Sequence, residues 1–134
     1  MILMQDIKKI MIKKSPLVSI LINNYNKEYF CVKAVKSIIN QNYNNIEIIF
    51  YDDNSSDFSI NRIKEFKKKS KIKKLKIIEN KIRGSIFSYN QIEGVKKSLL
   101  KSKGQIICLM DSDDFFKKNK IKKIVKQFKK NKSY

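Results

Sequence analysis

The 134-residue chain contains no histidine and no tryptophan, and only one proline, two cysteines and three glycines. Without histidine there is no Ser-His-Asp triad, no His-ligated zinc and no imidazole acid–base chemistry. Any metal must sit on carboxylates, which favours Mg²⁺, Mn²⁺ or Ca²⁺ over zinc. Cys31 and Cys108 lie in apolar periodic segments. They read as small core residues of a reduced, cytosolic protein. Acidic residues are scarce: 12 Asp plus Glu face 31 Lys plus Arg, a net charge of +19. That charge would attract a polyanion, so a basic nucleic-acid-binding α/β domain is an alternative class. Only Arg62 and Arg83 are arginine, however, and Lys, Asn and Ile are abundant together. All three have A/T-rich codons, so genome composition explains much of the charge. We expect no nucleic-acid partner.

No apolar run is long enough to span a bilayer. The opening "MILMQDIKKIMIKKSP" mixes Ile2, Leu3, Ile7, Ile10 and Met11 with Lys8, Lys9, Lys13 and Lys14. It has no continuous apolar region and no cleavage site of a signal peptide. Residues 1–15 read either as a frayed extension or as a basic amphipathic helix resting on anionic lipid. The second reading implies a cytoplasmic protein with peripheral contact at the inner face of the membrane.

From Pro16 a regular alternation begins. "LVSILI" (17–22) is a short β-branched run that suits a buried strand. "EYFCVKAVKSIINQ" (28–41) carries Cys31, Val35, Ile38 and Ile39 at helical spacing, and "IEIIFYDD" (46–53) is a second strand. Ser55, Ser56 and Asp57 are N-cap candidates for a helix with Ile60, Ile63 and Phe66 on one face. "LKIIEN" (75–80) is a third strand. In "SIFSYNQIEGVKKSLLKSK" (85–103), Ile92, Val95 and Leu99 mark an apolar helix face, and Gly104 stands where a C′ glycine would end the helix. "QIICLM" (105–110) is a fourth strand. Ile121, Ile124, Val125 and Phe128 define a last amphipathic helix. This order predicts an α/β layer fold with a mainly parallel sheet.

Such sheets bind ligands beyond the carboxyl ends of their strands. The polar clusters fall there: "NNYN", "YDDNSSD", "NKIRG" and "DSDD", one after each strand. Asp111 and Asp113 flank Ser112. In extended chain they point the same way and could share one divalent ion with phosphate oxygens. The plainer reading is an acidic turn, with Asp114 beside the next helix's N-terminal dipole. Repulsion between such close carboxylates makes that turn costly without a cation. Asp53 could accept an N–H from a nucleobase, whereas Asp57 is accounted for by capping. Tyr25 could stack on a base with Asn23 or Asn26 at its edge, or the segment is an Asx turn. Arg83 reads as a planar fork for a diphosphate or as a solvated loop arginine. No Walker lysine loop and no GxGxxG is present.

Together, "VSILINNYNKEYFCVKAVKSIINQNYNNIEIIFYDDNSSD", Asn90, Gly104 and "DSDD" resemble the ordered motifs of family 2 glycosyltransferases of the GT-A fold. The resemblance covers about residues 17–128. It implies a Rossmann-like, mainly parallel sheet with helices on both faces, and a donor-binding domain over 16–134. It implies a nucleotide-diphosphate-sugar donor, a Mg²⁺ or Mn²⁺ cofactor, and inverting transfer to a glycan or lipid-linked acceptor hydroxyl in cell-surface polysaccharide, lipopolysaccharide or glycoconjugate synthesis. Asn23, Tyr25, Asp53, Arg83, Asn90 and Asp111 would contact the nucleotide sugar. Asp113 would be the chief metal ligand, with Asp111 beside it. The first strand ends in Asn23-Asn24 where the family often has Pro-Thr. The family's catalytic base lies well downstream of Asp-x-Asp, so it is expected beyond Tyr134, and the domain is expected to be incomplete at its C-terminus. A non-catalytic or truncated GT-A fragment that folds without turnover is the nearest alternative.

Overall fold

The computed structural model describes residues 14–130. The candidate N-terminal extension over residues 1–15 lies outside them except for Lys14 and Ser15. Four strands alternate with four helices: β1 (Val18–Asn24), α1 (Cys31–Ile39), β2 (Ile46–Asp52), α2 (Ser59–Ser70), β3 (Leu75–Glu79), α3 (Phe87–Lys101), β4 (Ile106–Asp111) and α4 (Lys120–Lys130). The strands form one parallel sheet in the order β3-β2-β1-β4. Strand order reverses between β1 and β4, and that switch point opens a crevice at the carboxyl edge.

The period of two along each strand sorts side chains between two faces. Val18, Ile20 and Ile22 join Ile46, Ile48, Phe50, Leu75, Ile106 and Met110 on one face. Helices α1, α2 and α4 cover it with Cys31, Val35, Ile38, Ile63, Ile121 and Val125. Both cysteines are free thiols, and burial pushes the Cys31 thiol up to about 11. On the other face α3 packs over β1 and β2. It leaves Ile107 and Leu109 of β4 exposed.

Three expectations need correction. The buried face of α3 is Asn90, Gly94 and Ser98, while Ile92 and Leu99 are exposed. The reason is close approach. A Cβ at Gly94 would lie 2.7 and 2.8 Å from ring atoms of Tyr51 and 2.9 Å from Asn23 Oδ1. Small residues let the helix sit directly on the sheet, and the larger apolar residues then turn outward. Gly104 is likewise no C′ glycine, since α3 ends at Lys101 with Ser102 in extended conformation and no described glycine has positive φ. A Cβ there would meet Ser19 Oγ at 2.4 Å and Ser19 N at 2.6 Å. Absence of a side chain, not a left-handed φ, is what the position requires. None of the N-cap candidates Ser55, Ser56 and Asp57 holds that position: the N-cap of α2 is Phe58, without a side-chain cap bond, and Asp57 lies one residue before it, its Oδ1 accepting the Ser59 N–H at 2.9 Å. Among the described residues, no helix is long and apolar enough to cross a membrane.

Candidate functional site

The carboxyl edge is held in shape by short polar side chains. Asn24 ends β1 and donates to Asp52 Oδ1 at 2.7 Å. Asp52 also accepts from the Ser55 N–H and hydroxyl. Asn26 adopts a left-handed conformation, φ 49°, and its Oδ1 accepts the Ser56 N–H at 2.8 Å. Asp57 Oδ2 accepts the Glu28 N–H at 2.9 Å. Burial raises the Asp57 carboxyl, but the bonds from Ser59 and Glu28 outweigh it and hold the group below its usual range. Asp52 and Asp57 are therefore structural. Together these bonds lock the loop after β1 to the loop after β2.

Asp53, one residue past β2, faces the crevice. It accepts from Asn80 Nδ2 at 2.9 Å, and its Oδ2 lies 2.9 Å from Arg83 Nε. The Arg83 Nε–H is not aimed along that contact and finds no aligned acceptor. The guanidinium stacks on Tyr25, 3.7 Å from the ring centroid. Arg83 is thus no solvated loop arginine, because both an aromatic face and a carboxylate hold it. Its loop is fixed by Asn90, whose side-chain amide accepts the Gly84 N–H at 3.0 Å and donates to the Gly84 carbonyl at 2.8 Å.

The acidic end of β4 is built differently. The Ser112 N–H bonds to the Asn23 carbonyl at 3.1 Å and continues the β1–β4 ladder by one step. From α1, the Ser37 hydroxyl accepts the Phe116 N–H, and Gln41 donates to the Phe116 and Lys117 carbonyls. Gln41 Oε1 also accepts the Ile121 N–H at the start of α4. The Asp111–Asp114 turn is thereby pinned on both sides. Asp113 Oδ2 lies 2.7 Å from Lys27 Nζ. The bond from Lys27 draws the Asp113 carboxyl below its ordinary range, with burial opposing. Asp111 goes the other way: burial raises its pKa, and the charges of Asp113 and Asp114 raise it further.

All seven residues singled out from sequence line one cleft of about 370 Å³: Asn23, Tyr25, Asp53, Arg83, Asn90, Asp111 and Asp113. Two further lining residues, Lys27 and Tyr51, escaped the sequence reading. Lys27 is one lysine among 29 and carries no distinguishing signal. Tyr51 was findable, since it precedes Asp53 by two and so shares its face. The Tyr51 hydroxyl is buried without a hydrogen-bond partner, as is Asn23 Oδ1. Burial, then the charges of Asp53, Glu93 and Asp52, push the phenol up to about 12, so it stays protonated and can donate.

Among the described residues, no group of three or more His, Cys, Asp or Glu side chains could hold a metal alone. Two carboxylates are nevertheless a suitable donor set for Mg²⁺ or Mn²⁺, which share their coordination shell with water and substrate phosphates. The Asp111–Asp114 turn holds three carboxylates, and among the described residues only Lys27 pairs with one of them. On that chemistry, the residues present fit a divalent ion.

The family model described as "Glycosyl transferase family 2" matches residues 19–134. The chain belongs to glycosyl transferase family 2. It is 42% identical over 66 residues to an uncharacterized glycosyltransferase of Haemophilus influenzae, a match covering 49% of this chain and 20% of that protein. It is 34% identical over 71 residues to a dolichyl N-acetyl-α-D-glucosaminyl phosphate 3-β-D-2,3-diacetamido-2,3-dideoxy-β-D-glucuronosyltransferase of Methanococcus voltae, covering 52% of this chain and 22% of that one. The chain thus spans under a quarter of the length of these relatives. Its fold matches S. aureus TarS 1-349 in complex with UDP, with TM-score 0.71 and 19% identity over 85% of this chain and 32% of that one. It also matches the mannosyltransferase PcManGT from Pyrobaculum calidifontis in complex with GDP-Man and Mn²⁺, with TM-score 0.69 and 18% identity over 78% of this chain and 29% of that one. The fold is that of GT-A glycosyltransferases.

Proposed function

We propose that this family 2 domain binds a nucleoside-diphosphate sugar along its carboxyl edge with Mg²⁺ or Mn²⁺, for inverting transfer of the sugar to an acceptor hydroxyl. One observation carries the reading. The edge presents, in strand order β3-β2-β1-β4, Arg83, then Asp53, then Asn23 and Tyr25, then Asp111 and Asp113. Base-type contacts lie at one end and metal-type carboxylates at the other. Their parent strands β2 and β4 are two inter-strand spacings apart, about 10 Å. A nucleoside diphosphate laid across β1 spans a comparable distance from base to diphosphate.

In this reading Tyr25 supplies an aromatic face for the base, and Asp53 accepts a base N–H. Arg83 is a donor beside Asp53 at the base end. Asn90 acts through the Gly84 loop that carries Arg83. Asp113 and Asp111 would hold the metal, which when bound supplies charge neutralisation at the diphosphate leaving group. The acceptor oxygen bonds to the anomeric carbon as the sugar–phosphate C–O bond breaks. The electron pair leaves on the diphosphate, and the acceptor's proton passes to a base. No residue among 14–130 is assigned that role in this reading. The named relatives include a dolichyl-phosphate-sugar transferase and a Campylobacter jejuni GalNAc(5)-diNAcBac-PP-undecaprenol β-1,3-glucosyltransferase. By analogy we propose a lipid-linked glycan acceptor, with the domain acting in the cytoplasm at the membrane's inner face.

A donor panel tests the reading. UDP-, GDP- and dTDP-sugars are titrated with and without Mn²⁺ into wild type and Asp113→Ala, with a CMP-sugar, which carries no diphosphate, as the control. Metal-dependent binding of one nucleotide class, largely lost in the variant, is expected. A folded sample that binds none of the nucleoside-diphosphate sugars at millimolar concentration overturns the proposal.

A further inference from the structure

Lys27 is the only cation paired with the Asp111–Asp114 turn among the described residues. Its ammonium lies 2.7 Å from Oδ2 of Asp113, the carboxylate that the donor-site reading gives to the metal. The backbone beneath it is fixed independently of the side chain: the Lys27 N–H bonds to Ser59 Oγ at 3.0 Å, and its carbonyl accepts from Phe30 and Cys31. The side chain itself is 41% exposed, so apart from the Asp113 contact much of it faces solvent. A fixed root and a solvent-facing side chain suit a group that moves between two anions in one cleft.

Without donor, Lys27 neutralises Asp113. A divalent ion arriving alone must displace that ammonium, and then has a free positive charge beside it. An ion arriving with a diphosphate brings negative oxygens to the same place. Lysine is a flexible point charge that pairs readily with phosphate. We propose that Lys27 is a positioning residue that exchanges Asp113 for the donor's diphosphate. It thereby disfavours metal without nucleotide and favours the two together. This rests on the donor-site reading and adds an order to it: metal and nucleotide bind synergistically because one lysine opposes the first alone and assists the pair.

The test measures binding, not turnover. Mn²⁺ affinity is read by electron paramagnetic resonance without nucleotide, and UDP, GDP and dTDP affinities by calorimetry at saturating Mn²⁺. Wild type is compared with Lys27→Gln and Lys27→Arg. For Lys27→Gln, Mn²⁺ alone is expected to bind about threefold tighter, the scale of one exposed ion pair. The nucleotide is expected to bind about tenfold weaker, the scale of one charge-assisted hydrogen bond. Lys27→Arg keeps the charge and is expected to stay near wild type in the Mn²⁺ arm. If Lys27→Gln leaves Mn²⁺ affinity unchanged or weakens it, the exchange is overturned, even where the nucleotide still binds. If nucleotide binds wild type with Mn²⁺ and Lys27→Gln does not weaken it, the diphosphate half falls while the donor site stands. If UDP, GDP and dTDP all fail to bind wild type at saturating Mn²⁺, the donor-site reading falls with it, and the Mn²⁺ arm still decides whether Lys27 competes with metal.

Discussion

Glu47 offers a sharp test of how this sheet is held at the end opposite the cleft. It is 7% exposed, in the middle of the sheet on the α3 face. Its Oε1 accepts the Ser19 hydroxyl at 2.7 Å and the Lys103 N–H, and its Oε2 pairs with Lys76 Nζ at 2.9 Å. Ser19 Oγ in turn accepts the Gly104 N–H at 2.8 Å. One carboxylate therefore ties β1, β2, β3 and the turn into β4. Burial raises its pKa, but the Ser19, Lys103 and Lys76 donors outweigh burial and leave it lowered. A carboxyl whose folded pKa is depressed contributes stability above its unfolded pKa and loses it as pH falls through the folded value. Glu47→Gln keeps the shape and removes the charge. Hydrogen bonds to a charged acceptor contribute roughly 1.5–3 kcal/mol each and do not add in one network. Lys76 is 42% exposed, so its share is screened and small. A net loss of about 2–3 kcal/mol near neutral pH follows. Urea unfolding followed by circular dichroism, from about pH 7 down to about pH 3, reads both proteins, and their gap should close through the acid range as wild-type Glu47 itself becomes neutral. A gap that stays constant across that range would refute the reasoning, as would a variant as stable as wild type at neutral pH.

Two further substitutions probe how the site is supported. Gly94→Ala should lower the melting temperature despite alanine's better helix propensity. The new Cβ meets Tyr51 and Asn23 below 3.0 Å, and overpacking of about 1–3 kcal/mol outweighs the propensity gain of about 1 kcal/mol; equal or higher thermal stability by calorimetry counts against the close-packed α3. Gln41→Ala removes the side chain that bonds Phe116, Lys117 and Ile121. Leaving those groups unpartnered should cost about 2–3 kcal/mol in urea unfolding and speed hydrogen exchange at Ile121; unchanged exchange there would show that the turn is held by other means.

The alternation of elements was legible because each strand is a short β-branched run and each helix carries a period near 3.6. The four polar clusters were legible for a topological reason: in a parallel sheet every strand must end at the same edge. What the sequence could not show was how α3 faces the sheet. Hydrophobic periodicity selects Ile92, Val95 and Leu99, yet the contact is made by Asn90, Gly94 and Ser98. Periodicity assumes that the largest apolar residues define the interface. Here the interface is defined by how near the helix comes to the Tyr51 ring, a tertiary distance that no local pattern encodes.

The same limit separates the two ends of the cleft. Asp53, Asp111 and Asp113 stood out because acids are rare in this chain, and Arg83 because arginine is rarer still. Rarity is information, and Lys27 had none. Yet the structure sets the two cations in parallel roles, Arg83 against Asp53 and Lys27 against Asp113. Asp53 and Asp113 each already have a cationic partner, whereas Asp111 has no ion-pair partner among the described residues. Opposite charges a few ångströms apart in a partly desolvated cleft lower the cost of gathering acids there. At Asp53 and Asp113 ligand binding therefore becomes an exchange of partners, while the unpaired Asp111 is the carboxylate left for an incoming cation.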